Sequence, residues 1–95
     1  MGDERHEQAA EPSVEDLIEQ IRGIDVGQFL LSTVSTLASL SYGKLDSGDL
    51  DQARVGIDAL RALVPVLEGQ IESETLRDLQ SAVANLQVAY ADKAG

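Results

Sequence analysis

The stretch 26–43 contains no charged side chain, although the 95-residue chain carries 17 acidic and 7 basic residues. It reads VGQFLLSTVSTLASLSYG. A helix without a charged face has to be covered on most of its sides, either by its own chain or by a second copy. The stretch therefore predicts a helix that packs against other helices on most of its sides. Self-association of two copies is one way to provide those helices.

The length allows one domain at most. The polar residues 1–12 have little to bury, so we expect a disordered acidic tail there, one helical domain over 13–92 and a frayed C-terminus at 93–95. The chain has no cysteine, which excludes disulfides and thiolate metal sites. For so small a core, oligomerisation is the common remaining source of stability.

The formal net charge of −10 disfavours binding to nucleic-acid phosphates and to anionic lipid. The basic residues are scattered singly along the chain, as at Arg22, Arg54, Arg61 and Arg77. We therefore expect no direct nucleic-acid binding. A basic protein partner remains an alternative, and an acidic surface that serves only solubility is favoured over it.

The N-terminus is acidic and lacks the apolar run of a signal peptide. The uncharged stretch contains too many Ser and Thr residues for an ordinary membrane span. The sequence therefore predicts a cytoplasmic protein without membrane association.

Apolar periodicity predicts four helices and no strand, which is an all-α bundle of three to four helices. The first helix covers 13–22, with Ser13 as N-cap and Asp16 as its acidic partner. The second covers 26–42 and ends at Gly43.

The third helix begins near Asp49, and the fourth covers 73–92. Both show the 3, 4 spacing of a coiled-coil seam, which predicts an antiparallel hairpin between them. Pro65 interrupts the third helix, so we expect a kink there or a break with Pro65 opening a final turn.

The second and third helices carry more apolar surface than one hairpin seam needs. Either a compact bundle or a second chain can cover the surplus. We predict a homo-oligomer, with a dimer favoured. The candidate interface residues are Phe29, Leu30, Val34, Leu37, Ser41, Val55, Ala59 and Ala62.

Four motifs occur in a distinctive order: Phe29-Leu30-Leu31-Ser32, Ile57-Asp58, Leu67-Glu68-Gly69-Gln70-Ile71 and Leu86-Gln87-Val88-Ala89-Tyr90. Together they resemble the small bacterial helical family called domain of unknown function 1844, over about 25–90. The family commonly has Asn at the position of Gln70, Arg at that of Gln87 and a basic run at 65–68. Any family function of those basic residues is lost here.

The resemblance implies an all-α bacterial cytoplasmic protein and no particular activity. Some family members lie near translation genes, which implies a translation-associated partner.

No residue pattern points to catalysis, a cofactor or a metal. His6 is the only histidine and lies in the predicted tail. Asp46, Asp49 and Asp51 lack the pattern of a calcium loop, and helix capping explains them better. The serines of the second helix have no general base at a suitable spacing.

Asp58 is the one polar residue that we single out. Its favoured role is an exposed ion pair with Arg54 or Arg61, and the alternative is orienting another helix at an interface.

The sequence predicts a non-catalytic module for protein–protein interaction or self-association. The alternative is a translation-associated accessory factor that binds a basic protein partner.

Overall fold

The computed structural model describes residues 13–95. These form four α-helices, a short 3-10 helix and no strand within that range. The elements are α1 (Val14–Arg22), α2 (Val26–Asp46), α3 (Leu50–Leu63), the 3-10 helix (Val64–Leu67) and α4 (Ser73–Ala94). The predicted all-α bundle is confirmed. The predicted tail, including His6, lies outside the described residues.

Helix α1 begins with the predicted capping box. The Asp16 backbone N–H donates to Ser13 Oγ at 3.2 Å, and the Ser13 N–H donates to Asp16 Oδ2 at 3.4 Å. Gly23 ends the helix as its C-cap. Within the described residues, α1 makes no contact with any other helix, so it projects from the bundle formed by the rest.

Helix α2 is longer than predicted, because Gly43 does not end it. The helix continues to Asp46, and a turn at Ser47 and Gly48 follows. Leu45 explains the difference, since it is only 2% exposed and packs in the core. Burying a leucine stabilises by about 1.5–3 kcal/mol, which outweighs the cost of about 1 kcal/mol for glycine inside a helix.

The break at Pro65 is confirmed. Helix α3 ends at Leu63, and Pro65 lies in the first turn of the 3-10 helix that follows. Proline lacks an N–H and crowds the preceding turn of an α-helix, whereas the start of a helical turn tolerates it. The 3-10 helix keeps Val64 and Leu67 buried, so the apolar seam of α3 continues through the break.

The core is formed by α2, α3, the 3-10 helix and α4. Its closest helix–helix packing joins α2 to α3, and α4 packs against both. The antiparallel hairpin of α3 and α4 stays a prediction. The buried apolar residues are Val34, Leu45, Ala53, Ile57, Leu60, Val64, Leu67, Val83 and Leu86.

Candidate functional site

A close contact between Ser41 and Gly56 joins α2 to α3. Both residues are buried, and a Cβ atom added to Gly56 would lie against Ser41 Oγ, 3.0 Å from Ser41 Cβ and 3.6 Å from Ser41 Cα. A larger residue at position 56 would force the Ser41 side chain or one of the two helices to shift. The contact therefore fixes how near the two helices lie, and with it the surface that they share.

Ser41 Oγ is buried and has no hydrogen-bond partner among the described residues. A hydroxyl in this state costs about 1–3 kcal/mol relative to a partnered one. The groove beside it is lined by no histidine and no carboxylate, so no side chain there is placed to activate the hydroxyl. The position of Ser41 fits a role in helix packing.

An apolar surface lies on the outer side of this contact. We call it the α2–α3 face, and it consists of Phe29, Thr33, Thr36, Leu37, Leu40, Val55, Ala59 and Ala62. Leu37 and Leu40 line a groove with Val55 and Ala59. The remaining members follow at helical spacings of three or four on the same sides of α2 and α3.

The α2–α3 face is apolar and open. Phe29 is 61% exposed, Leu40 is 55% exposed and Val55 is 65% exposed. Lys44 is the one charged residue in the groove lining. The groove has a volume of about 120 Å³, below the roughly 300–1,000 Å³ of ligand pockets. An adjoining groove of the same face, lined by Ser32, Thr33, Thr36, Leu37 and Leu40, holds about 390 Å³. The apolar residues of both grooves suit contact with another apolar surface.

The predicted interface residues divide between the core and the surface. Val34 and Ser41 are 0% and 1% exposed, so they belong to the core and are closed to a partner. Three others are half-buried: Leu30, Leu37 and Ala59. The exposed ones are Phe29, Val55 and Ala62.

Sequence reasoning left Leu40, Thr33 and Thr36 out of the predicted interface, although they belong to the α2–α3 face. Their helical spacing from Phe29 and Leu37 was the available signal. Because α2 is apolar on several sides, spacing alone did not show which side faces inward.

A second, more polar groove of about 400 Å³ lies between α3 and α4. Arg54, Arg61 and Tyr90 line it, with Asp58 between the two arginines along α3. Arg54 Nε lies 3.9 Å from Asp58 Oδ2, and both side chains are exposed. The predicted ion pair is confirmed, and an exposed pair of this kind contributes about 0–1 kcal/mol.

Helix α1 presents a further apolar surface. Val14, Leu17, Ile18 and Ile21 form a stripe along it, and their exposed fractions run from 41% to 72%. Ile24, after the helix, is 48% exposed. Within residues 13–95, nothing covers the α1 stripe or the α2–α3 face.

Over residues 13–95, no three His, Cys, Asp or Glu side chains are grouped to hold a metal ion. In the same range, no helix has the length and apolar character needed to cross a membrane. Comparisons with models of protein families, with curated protein sequences and with solved structures find no match to this chain.

Proposed function

We propose that this protein is a non-catalytic self-association module, and that two copies meet through the α2–α3 face. One observation carries the proposal: in a chain with a net charge of −10, two adjoining apolar grooves on α2 and α3 are lined by no acidic side chain. Exposed apolar surface that is gathered in one patch is typical of interaction sites.

A second copy fits this face better than an unrelated partner of opposite charge. Two acidic molecules repel each other, so they associate most readily where neither presents a charge. In a two-fold symmetric dimer both copies use the same surface, so each α2–α3 face has to accept apolar side chains from the other copy. The α2–α3 face meets this requirement, since Leu40 and Val55 are exposed there and its groove has no acidic side chain in its lining.

The variant Val55→Glu tests the proposal, with Val88→Glu as its matched control. Val55 and Val88 are 65% and 63% exposed, both on helices, and only Val55 belongs to the α2–α3 face. We expect Val55→Glu to be monomeric with unchanged helical circular dichroism, because it places two carboxylates at the interface. Val88→Glu should remain dimeric. Equal association of both variants would show that the α2–α3 face is not the interface.

The acidic polar side of α1 favours a second candidate function, binding of a basic protein. Glu15, Asp16 and Glu19 lie away from the apolar stripe of that helix and are exposed. The resemblance to domain of unknown function 1844 supports a translation-associated partner of this kind. Membership of that family and a cytoplasmic location are part of the proposal. Capture that weakens at high salt would support this candidate, since salt screens exposed charges.

A further inference from the structure

We propose that α1 of each copy packs on the α2–α3 face of the other copy, as an exchanged arm. The proposal rests on the proposed dimer and names the segment that completes it. It assigns a partner to two uncovered apolar surfaces, the α1 stripe and the α2–α3 face. In a two-fold dimer the contact occurs twice, once in each direction.

Helix α1 is short for a helix that stands alone. It has nine residues, whereas isolated helices below about 12–15 residues are marginal in water. Its capping box favours helix formation, and its apolar residues lie on one side. An amphipathic helix of this kind is stabilised mainly by burying its apolar side, and the described part of its own chain does not bury it.

The size of the α2–α3 face also calls for an additional contact. A stable protein interface uses about 20–30 residues from each side. The face as defined has far fewer, and Lys44, Gln52 and Ser32 at its border still leave it short. Helix α1 and Ile24 supply the missing surface without adding a charge to the centre, because their acidic side chains lie on the opposite side of the helix.

The junction between α1 and α2 favours the second copy over the same chain. The Ile24 N–H donates to the Ile21 carbonyl at 3.2 Å, and the Gly27 N–H donates to Asp25 Oδ1 at 2.9 Å. The first bond lies at the end of α1 and the second at the start of α2. Only residues 23–25 connect the two helices. To fold back onto its own bundle, α1 would have to reverse direction within these three residues, whereas a second copy meets α1 where it stands.

The charges at the border of the contact are compatible with this arrangement. Lys44 lies at the edge of the groove, and the polar side of α1 carries Glu15 and Glu19. A docked α1 places its acidic side toward solvent and toward this lysine. The opposite orientation would bury carboxylates against Leu40, which is strongly unfavourable.

Cross-linking tests the exchange directly, because the chain has no cysteine of its own. One full-length chain carries Leu17→Cys and a second, differently tagged chain carries Leu40→Cys. After subunit exchange, a short bis-maleimide should join the two tagged chains. The matched control replaces Leu40→Cys with Val88→Cys on α4, and we expect no link between α1 and that position.

The outcomes separate this proposal from the proposed dimer. A single chain with both Leu17→Cys and Leu40→Cys that links only to itself would show folding back in place of exchange. A dimer in which Leu17→Cys links only to its own copy, or to neither surface, would also overturn the exchange. A protein that is monomeric at every concentration would contradict both the proposed dimer and the exchange of α1.

The full-length variant Ile21→Glu gives a second readout. We expect its dimer dissociation constant to rise by about tenfold or more, since Ile21 would lose its burial on the partner. Gln20→Glu, on the polar side of α1, should leave the dissociation constant almost unchanged. An unchanged constant for Ile21→Glu would contradict the arm exchange while leaving the α2–α3 dimer intact.

Discussion

At the scale of single residues, Gly56 sets the distance between α2 and α3. We expect Gly56→Ala to lower the free energy of unfolding by about 1–2 kcal/mol, because its Cβ overlaps Ser41 in a packed core. Gly43→Ala is the matched control, since nothing lies within 4 Å of its added Cβ. It should stabilise by about 0.5–1 kcal/mol through helix propensity. Urea unfolding at one protein concentration measures both, and similar values for the two would contradict this role of Gly56.

The hydroxyl of Ser41 gives an independent prediction. Ser41→Ala removes a buried group that has no partner, so we expect the free energy of unfolding to rise by about 1 kcal/mol beyond any gain in helix propensity. Ser39→Ala, on the exposed side of α2, reports the propensity gain alone. If Ser41→Ala instead destabilises the fold, its hydroxyl makes a stabilising interaction.

Sequence reasoning reached part of this contact. Ser41 was among the predicted interface residues, and it does lie against another helix, α3 of its own chain. The contact between Ser41 and Gly56 was not predicted. The sequence places Gly56 among the apolar residues of α3, but it does not identify the helix that packs against this glycine. The predicted pair of Arg54 and Asp58 was found because helical spacing determines it without any tertiary information.

At the scale of the elements, the turn before α4 depends on backbone conformation alone. Gly69 has a φ angle of +80°, and nothing lies within 4 Å of the Cβ it lacks. We expect Gly69→Ala to destabilise by about 1 kcal/mol, since a left-handed conformation costs about 1–2 kcal/mol for other residues. Thermal unfolding next to Gly43→Ala measures the difference. A Gly69→Ala variant as stable as Gly43→Ala would contradict it.

The elements were predictable wherever local chemistry decides them. The capping box at Ser13 and the break at Pro65 are local signals, and both were predicted. The end of α2 was predicted too early, because the helix extends past Gly43 to bury Leu45, a tertiary effect. Whether α1 packs on the bundle was not predictable either, since an apolar stripe does not identify its partner.

At the scale of the whole molecule, net charge opposes association of two copies. We expect the dimer dissociation constant to fall by about three- to tenfold when salt rises from about 0.02 M to 0.3 M, because salt screens the repulsion between the acidic chains. Sedimentation velocity at both salt concentrations measures this. A dissociation constant that rises with salt would favour contacts between opposite charges over the apolar α2–α3 face.

The all-α architecture was predictable at this scale, but the outer surface was not. Both Val34 and Phe29 were predicted as interface residues from the apolar pattern of α2. In the fold, Val34 is buried and Phe29 is exposed. That choice depends on how α3 and α4 pack around α2. Periodicity within a single helix carries no such information.

The most direct test of self-association is the solution mass of the full-length chain, measured by light scattering over a concentration series. Dimerisation through the α2–α3 face predicts a mass that reaches twice the 10.1 kDa of one chain and falls toward the monomer on dilution. Val55→Glu should stay at the mass of one chain throughout. A native protein that remains at 10.1 kDa at every concentration would contradict self-association.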